Sequence, residues 1–311
     1  MLKLALATSN APAIYRPRSA WQTIYDAQAN PAVPPPNELA GETEEVVDGY
    51  IIRIQAAQRA IRARLHAAKP DVILVLGYDD GVAFSKVQVP QICTFVGKSL
   101  TGSASIPELG ESPSDNQITL NNDTEFAWEL QRGLVDEEID ASYMDMQNPM
   151  GKPEWGTSSA FTLPAANLLN GLDVPVTPLF INCSVEPTLP GSRLYVFGQA
   201  LGQVLKSIDK DVAILAVGGL SHDPRGARAG WIDDRLDRWV LNCLKKGNAQ
   251  RLKRLFELES DTLAGGTGQI RTWIAAGAAA ESQGLRAHTI DYIPALRAMT
   301  GLGFAAWEKP E

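Results

Sequence analysis

The stretch DVAILAVGGLSHDPRG, residues 211–226, decides the fold. Its first half is an unbroken apolar run of Val, Ile, Leu and Ala. Runs of that kind suit a strand covered on both faces of a sheet, because a strand with one wet face alternates apolar and polar residues. Gly218 and Gly219 end the run, and a turn follows with His222, Asp223 and Pro224. Open α/β sheets place their sites just past the carboxyl ends of their strands. His222, one of three histidines in the chain, stands at such a point.

Working outward, LKLALA (2–7), DVILVLG (71–77), QICTFVG (91–97) and VPVTPLFI (174–181) read as further buried strands. Apolar residues recur at helical spacing over 42–68, which stops before Lys69-Pro70, and over 191–208, 228–257 and 270–282. Near the C-terminus, LRAHTIDYI and GLGFAAWE read as two strands around a short turn or helix. The Pro-rich stretch 29–40 and the Ser/Gly/Pro/Asn-rich stretch 101–122 read as surface loops. There is no internal repeat and no clean linker. The expectation is one α/β domain over residues 1–311, with a central mostly parallel or mixed sheet flanked by helices.

Composition limits the function classes. The chain has 311 residues, of which 45% are hydrophobic, so a core can form without disulfide or metal staples. A formal net charge of −8 argues against nucleic acid or an anionic membrane as the main partner. Cys93, Cys183 and Cys243 are far apart and odd in number, which suits buried reduced thiols. No apolar run approaches the ~18 residues of a membrane span. The opening MLKLALATSNAPA is too short and too weakly basic for a signal peptide, so a cytoplasmic location is expected.

Common motifs fail. There is no GxxxxGK[ST], HExxH or GxSxG, and Gly265-Gly266-Thr267-Gly268 follows a helix as well as preceding one, which makes a dinucleotide loop a weak reading. Ser158 or Ser159 with His222 and an aspartate could form a hydrolase triad, but nothing in the spacing supports it. Four places instead put polar residues after apolar strands or at a helix start. They are Asn10, the pair Asp79 and Asp80, His222, and Gln269. Each has a plain structural reading. Asn10 and Asp80 make good turns and caps, Gln269 can satisfy free amides at a helix start, and His222 can be a satisfied buried histidine.

The segments TSNAPAI, GYDDGVAF, GGLSHDPRGARAGWIDDRLD and LKKGNAQRLKRLFELESDTLAGGTGQIRTWIAAGAAA together carry a resemblance. In order and separation they resemble the catalytic-type subunit of class III extradiol ring-cleavage dioxygenases over nearly the whole chain. The resemblance implies a mononuclear Fe(II) held by two histidines and a glutamate, with open positions for a catecholate and dioxygen. It also implies an acid/base histidine, which falls on His222. The implied iron ligands fall on Asn10, Asp80 and Gln269, so Asn, Asp and Gln stand for His, His and Glu. Ser159 in GTSSAF stands where some relatives carry a histidine. His66 and His288 match no ligand role.

Three expectations follow. The first is an iron-free, non-catalytic subunit, with no cofactor bound in this chain and Fe(II) in a partner chain of the same type. The second is an active ring-cleaving enzyme for a catechol- or aminophenol-type aromatic with an altered metal site. The third is a module that binds a small aromatic ligand with His222, Asp80 and Arg225 as polar anchors. Asp79 and Ser159 are further pocket candidates. The 98–122 and 141–156 stretches, the latter with Trp155, are candidates for the pocket mouth. The partner would be an iron-bearing dioxygenase-type subunit or a second copy of this chain.

Overall fold

A computed structural model describes residues 1–257 and 260–310. The strands are β1 (Leu2–Thr8), β2 (Val72–Gly77), β3 (Ile92–Phe95), β4 (Ser99–Ser103), β5 (Gln117–Asn121), β6 (Ser142–Met144), β7 (Val176–Ile181), β8 (Val212–Val217), β9 (Arg286–Ala295) and β10 (Thr300–Glu308). The α-helices are α1 (Arg18–Gln28), α2 (Glu44–Ala68), α3 (Thr124–Asp136), α4 (Ser159–Asn167), α5 (Gly191–Ser207), α6 (Asp234–Lys245) and α7 (Ile270–Ser282).

The run 211–219 becomes β8, near the centre of an eight-stranded sheet ordered β6-β3-β7-β2-β8-β1-β10-β9. Four strands, β7, β2, β8 and β1, run parallel. β10 and β9 join antiparallel on one side and β3 antiparallel on the other, so the sheet is mixed. Every residue of β2, β7 and β8 is buried, as continuous apolar strands require. β1 pairs with β10, so residues from both ends of the chain meet in one sheet. Helices α5 and α7 pack on each other, and α7 lies against β1, β8 and β2.

The strands and helices expected from sequence are present, with three differences. Residues 101–122 are not all loop: Ser99–Ser103 and Gln117–Asn121 pair antiparallel as a separate two-stranded hairpin. Polar Ser103 and the bare Gly102 are buried while Thr101 is half-buried, so polarity does not alternate with burial along β4. The helix expected over 228–257 is α6 alone, followed by a 3-10 turn at Ala249–Arg254 with Gly247 between them at φ 62°. Helices α1 and α3 were not anticipated; α3 is capped by the Asp123 carboxylate, which accepts the Phe126 amide at 3.0 Å. Among the described residues, no helix is long and apolar enough to cross a membrane.

Candidate functional site

β1, β2 and β8 lie side by side and point the same way, and the loops that leave them carry Asn10, Asp80 and His222. Gln269 sits at the start of α7, Ser159 at the start of α4, and Arg225 three residues past His222. All six line one cavity of about 500 Å³. Ser105 and Glu108 from the 98–122 stretch, and Lys152 and Trp155 from the 141–156 stretch, complete its wall. Asp79 does not line this cavity but a neighbouring one at the carboxyl ends of β2 and β7. Its carboxylate is taken up by the amides of Val82, Ala83 and Phe84, at 3.3, 2.9 and 3.1 Å. It shapes the turn that presents Asp80.

The His222 turn is fixed from several sides. Gly218 and Gly219 take φ values of 114° and 64°, which L side chains rarely adopt. Ser221 is anchored through its amide and hydroxyl, both donating to the buried carboxylate of Asp237 at 2.9 and 2.8 Å. The Tyr292 hydroxyl donates to the same carboxylate at 2.9 Å. Burial pushes Asp237 up to about 7 against the pull of these donors. The His222 amide donates to the Thr267 hydroxyl at 3.0 Å, and the Thr267 amide returns to the His222 carbonyl at 2.9 Å. The ring Nδ1 lies 2.9 Å from the Leu220 carbonyl. A carbonyl only accepts, so Nδ1 carries the proton of the neutral ring and Nε2 is left as a base. Burial lowers the His222 pKa, while the Leu220 bond and the charge of Asp223 oppose the shift.

A second network joins the other residues. Asn10 accepts from the Tyr15 hydroxyl at 3.0 Å and donates to the Tyr78 hydroxyl at 3.1 Å and to Ser159 at 3.5 Å. Ser159 donates to Asp80 at 2.9 Å, and Ser158 to the same oxygen at 3.4 Å. Asp80 is open to water in the cavity yet sits deep in the protein. Burial raises its pKa, the Ser159 bond lowers it, and the charge of Asp79 adds to the rise. Gln269 accepts the Gly219 amide at 2.9 Å, so its carbonyl oxygen is tied to the His222 turn. Tyr15, Tyr78, Thr267 and Asp237 were missed in the sequence. Only Tyr78, adjacent to the Asp79-Asp80 pair, carried a local signal.

These residues do not fit the Fe(II) that the family resemblance implies. The three positions offer one carboxylate and two neutral amides, and neither imidazole is present. The oxygens of Asn10 and Gln269 and one oxygen of Asp80 already accept hydrogen bonds from protein donors. Among the described residues, no group of three or more His, Cys, Asp or Glu side chains converges as a metal site. His66 and His288 lie away from the cavity; the His288 ring is 2.9 Å from Arg64 and 3.6 Å from Glu308. The three cysteines are buried and unpaired with one another.

The chain is similar to curated dioxygenases. A 2,3-dihydroxyphenylpropionate/2,3-dihydroxicinnamic acid 1,2-dioxygenase of Pseudomonas putida is 27% identical over 57% of this chain and 52% of its own length. One from Klebsiella pneumoniae is 32% identical over 52% of this chain and 47% of its own. The match thus spans about half the length of these relatives. An Escherichia coli O81 enzyme of the same name is 26% identical over 78% of this chain and 85% of its own. The family model described as the catalytic LigB subunit of aromatic ring-opening dioxygenase matches residues 31–303. The chain therefore belongs to the family of LigB-type aromatic ring-opening dioxygenases.

Proposed function

We propose that this chain is an iron-free, non-catalytic subunit of a ring-opening dioxygenase. In this reading its cavity holds a small aromatic ligand beside His222, and the iron chemistry is done by a second, iron-bearing chain of the same family. The observation that carries it is the state of the three positions where the family keeps its iron ligands. Asn10, Asp80 and Gln269 each accept a hydrogen bond from a protein donor, and these bonds take up oxygens that a metal would need. Displacing the buried Gly219 amide from Gln269 would be costly, because that donor would lose its partner. The aromatic ligand is supported by a cavity of about 500 Å³ with Tyr78 and Trp155 in its wall beside polar anchors that include His222, Asp80 and Arg225.

One specific feature favours a second reading, that of an active enzyme with altered chemistry. His222 keeps a fixed tautomer with Nε2 free, which is the form a general base needs. Iron binding separates the two readings. The purified chain, incubated anaerobically with Fe(II) and freed of unbound metal, is expected to retain no stoichiometric iron and to leave catechols uncleaved in air. About one iron per chain, with oxygen consumption on catechol, would overturn the iron-free reading.

A further inference from the structure

The segment LKKGNAQRLKRLF, which opens the last block of the family resemblance, has no part in the site described above. Residues 245–254 hold five bases in ten positions and no acid, in a chain whose formal net charge is −8. Lys245, Lys246, Arg251 and Arg254 are exposed. Lys253 is half-buried, with its ammonium 5.2 Å from the ring centre of Tyr195 on α5. Among the described residues, none of the five makes an ion pair. Arg251, Lys253 and Arg254 line a groove of about 710 Å³ together with Trp239 of α6, which is 37% exposed. Two carboxyls lie close. Glu257 shares the groove wall, and Glu281 accepts the Ala249 amide and is pushed up to about 7 by burial. Five bases against these two leave the face basic.

The opposite charge gathers on another part of the same helical layer. VDEEIDASYMDM, residues 135–146, holds five acids and no base. Asp136, Glu137, Glu138, Asp140 and Asp145 are all exposed, and among the described residues none of them is in an ion pair. Val135, Tyr143 and Met146 stand between them, 56%, 55% and 74% exposed. Two bases border this face and both are engaged. Arg132 lies over the Trp128 ring at 5.8 Å, and Lys210 pairs with Asp123. Large apolar side chains left in water and ringed by charge have the make-up of a contact surface.

One chain cannot join its own two faces. A Cβ on Gly191, at the start of α5, would overlap the Leu252 carbonyl, so that end of the helix rests on the basic segment. A Cβ on Gly133 of α3 would overlap the Val204 side chain, so the other end of α5 rests beside the acidic one. From residue 191 to residue 204 a helix advances roughly 20 Å, at about 1.5 Å per residue. A second copy turned about a two-fold axis sets each basic face on the other copy's acidic face, and the pair closes. The net charge opposes this only at long range, because charges more than ~8 Å apart are largely screened at physiological salt. A nucleic acid strand would meet the field of an acidic chain and would leave the acidic face without a partner.

We propose that this chain pairs with a second copy of itself, the 245–254 face of each meeting the 135–146 face of the other. None of these residues lines the cavity beside His222, so the pairing does not rest on the reading of that cavity.

Sedimentation velocity of the full chain over a concentration series tests the pairing. A dimer is expected whose dissociation constant rises about tenfold or more from low to high salt. Arg251→Glu with Arg254→Glu reverses the basic face, and Asp136→Lys with Glu137→Lys reverses the acidic one. Each reversed chain is expected to be monomeric alone, with the native melting temperature. Mixed together, the two are expected to dimerise with each other, because every facing pair is again opposite in sign. A native chain that stays monomeric throughout overturns the proposal and leaves a different molecule as the partner of the basic face. So does a dimer that neither reversal weakens, or a mixture that associates no more than its components. Cross-linking needs no variant. In a mixture of ¹⁴N and ¹⁵N native chains, a carbodiimide is expected to link Lys245, Lys246 or Lys253 of one copy to the acids of 136–140 of the other. Links between copies that fall only elsewhere overturn the proposal as well.

Discussion

His222 is held by what its neighbours lack as much as by what they donate. A Cβ on Gly266 would overlap Nε2 of the His222 ring, and Gly266 does not need a left-handed backbone. Gly266→Ala therefore leaves the chain path allowed and displaces only the ring. The expected result is loss of the Nδ1 bond to Leu220, seen as a changed tautomer pattern in the histidine ¹⁵N spectrum, with a melting temperature within a few degrees of native. An unchanged His222 spectrum would show that the ring does not rest on Gly266. The sequence made His222, Asn10, Asp80 and Gln269 legible because each follows a strand or opens a helix, and such positions gather at one edge of a parallel sheet. It could not show that Asp79, one residue from Asp80, turns to its own backbone. Adjacent side chains after a strand point apart, and periodicity does not say which one faces the cavity. Nor could it show Tyr15 and Thr267, whose roles depend on distances across the fold.

At the scale of elements, the closeness of α5 and α7 sets where Gln269 starts. A Cβ on Gly198 of α5 would overlap the Ala275 carbonyl and meet the Ala278 methyl at 2.7 Å. In an exposed helix the change from glycine to alanine helps by up to ~1 kcal/mol. Gly49 of α2 is such a place, with nothing within 4 Å of an added Cβ. The same substitution is thus expected to have opposite signs. Gly49→Ala raises the denaturant midpoint, while Gly198→Ala lowers stability by about 1–3 kcal/mol, because the helices must separate or strain. Denaturant melts of both variants check this; a stabilised Gly198→Ala would mean the helices do not touch there. The central strands and long helices were readable because one period dominates each segment. The β4–β5 hairpin and the end of α6 were not, because a half-exposed hairpin lacks a clear alternation, and Gly247 interrupts a helical pattern that the spacing alone carries through to residue 257.

Across the whole molecule, two buried carboxyls set the main direction of the pH dependence between pH 6 and pH 8. Asp237 and Glu281 are pushed up to about 7 by burial, far above their unfolded values. A carboxyl whose folded pKa is raised adds stability that is complete below its unfolded pKa and is lost as pH rises through the folded one. For these two groups that loss falls around pH 7. His222 acts in the opposite sense. Its pKa is lowered, so its contribution is present above about 6.5 and is lost as pH falls, below most of this window. Glu111 and Asp123, held below the usual carboxylate range despite burial by bonds from Arg16 and Lys210, lose their contribution only at more acidic pH still. The net charge of −8 adds self-repulsion that eases when carboxyls take protons. The protein is therefore expected to melt higher at pH 6 than at pH 8, with each of the two carboxyls contributing on the order of 1 kcal/mol. Glu281→Gln keeps an oxygen for the Ala249 amide, which both carboxylate oxygens now accept, and removes the titration. It should flatten the pH dependence without abolishing it, since Asp237 still titrates. A melting temperature that is level, or that climbs from pH 6 to pH 8, would mean that burial does not hold these protons on the folded chain.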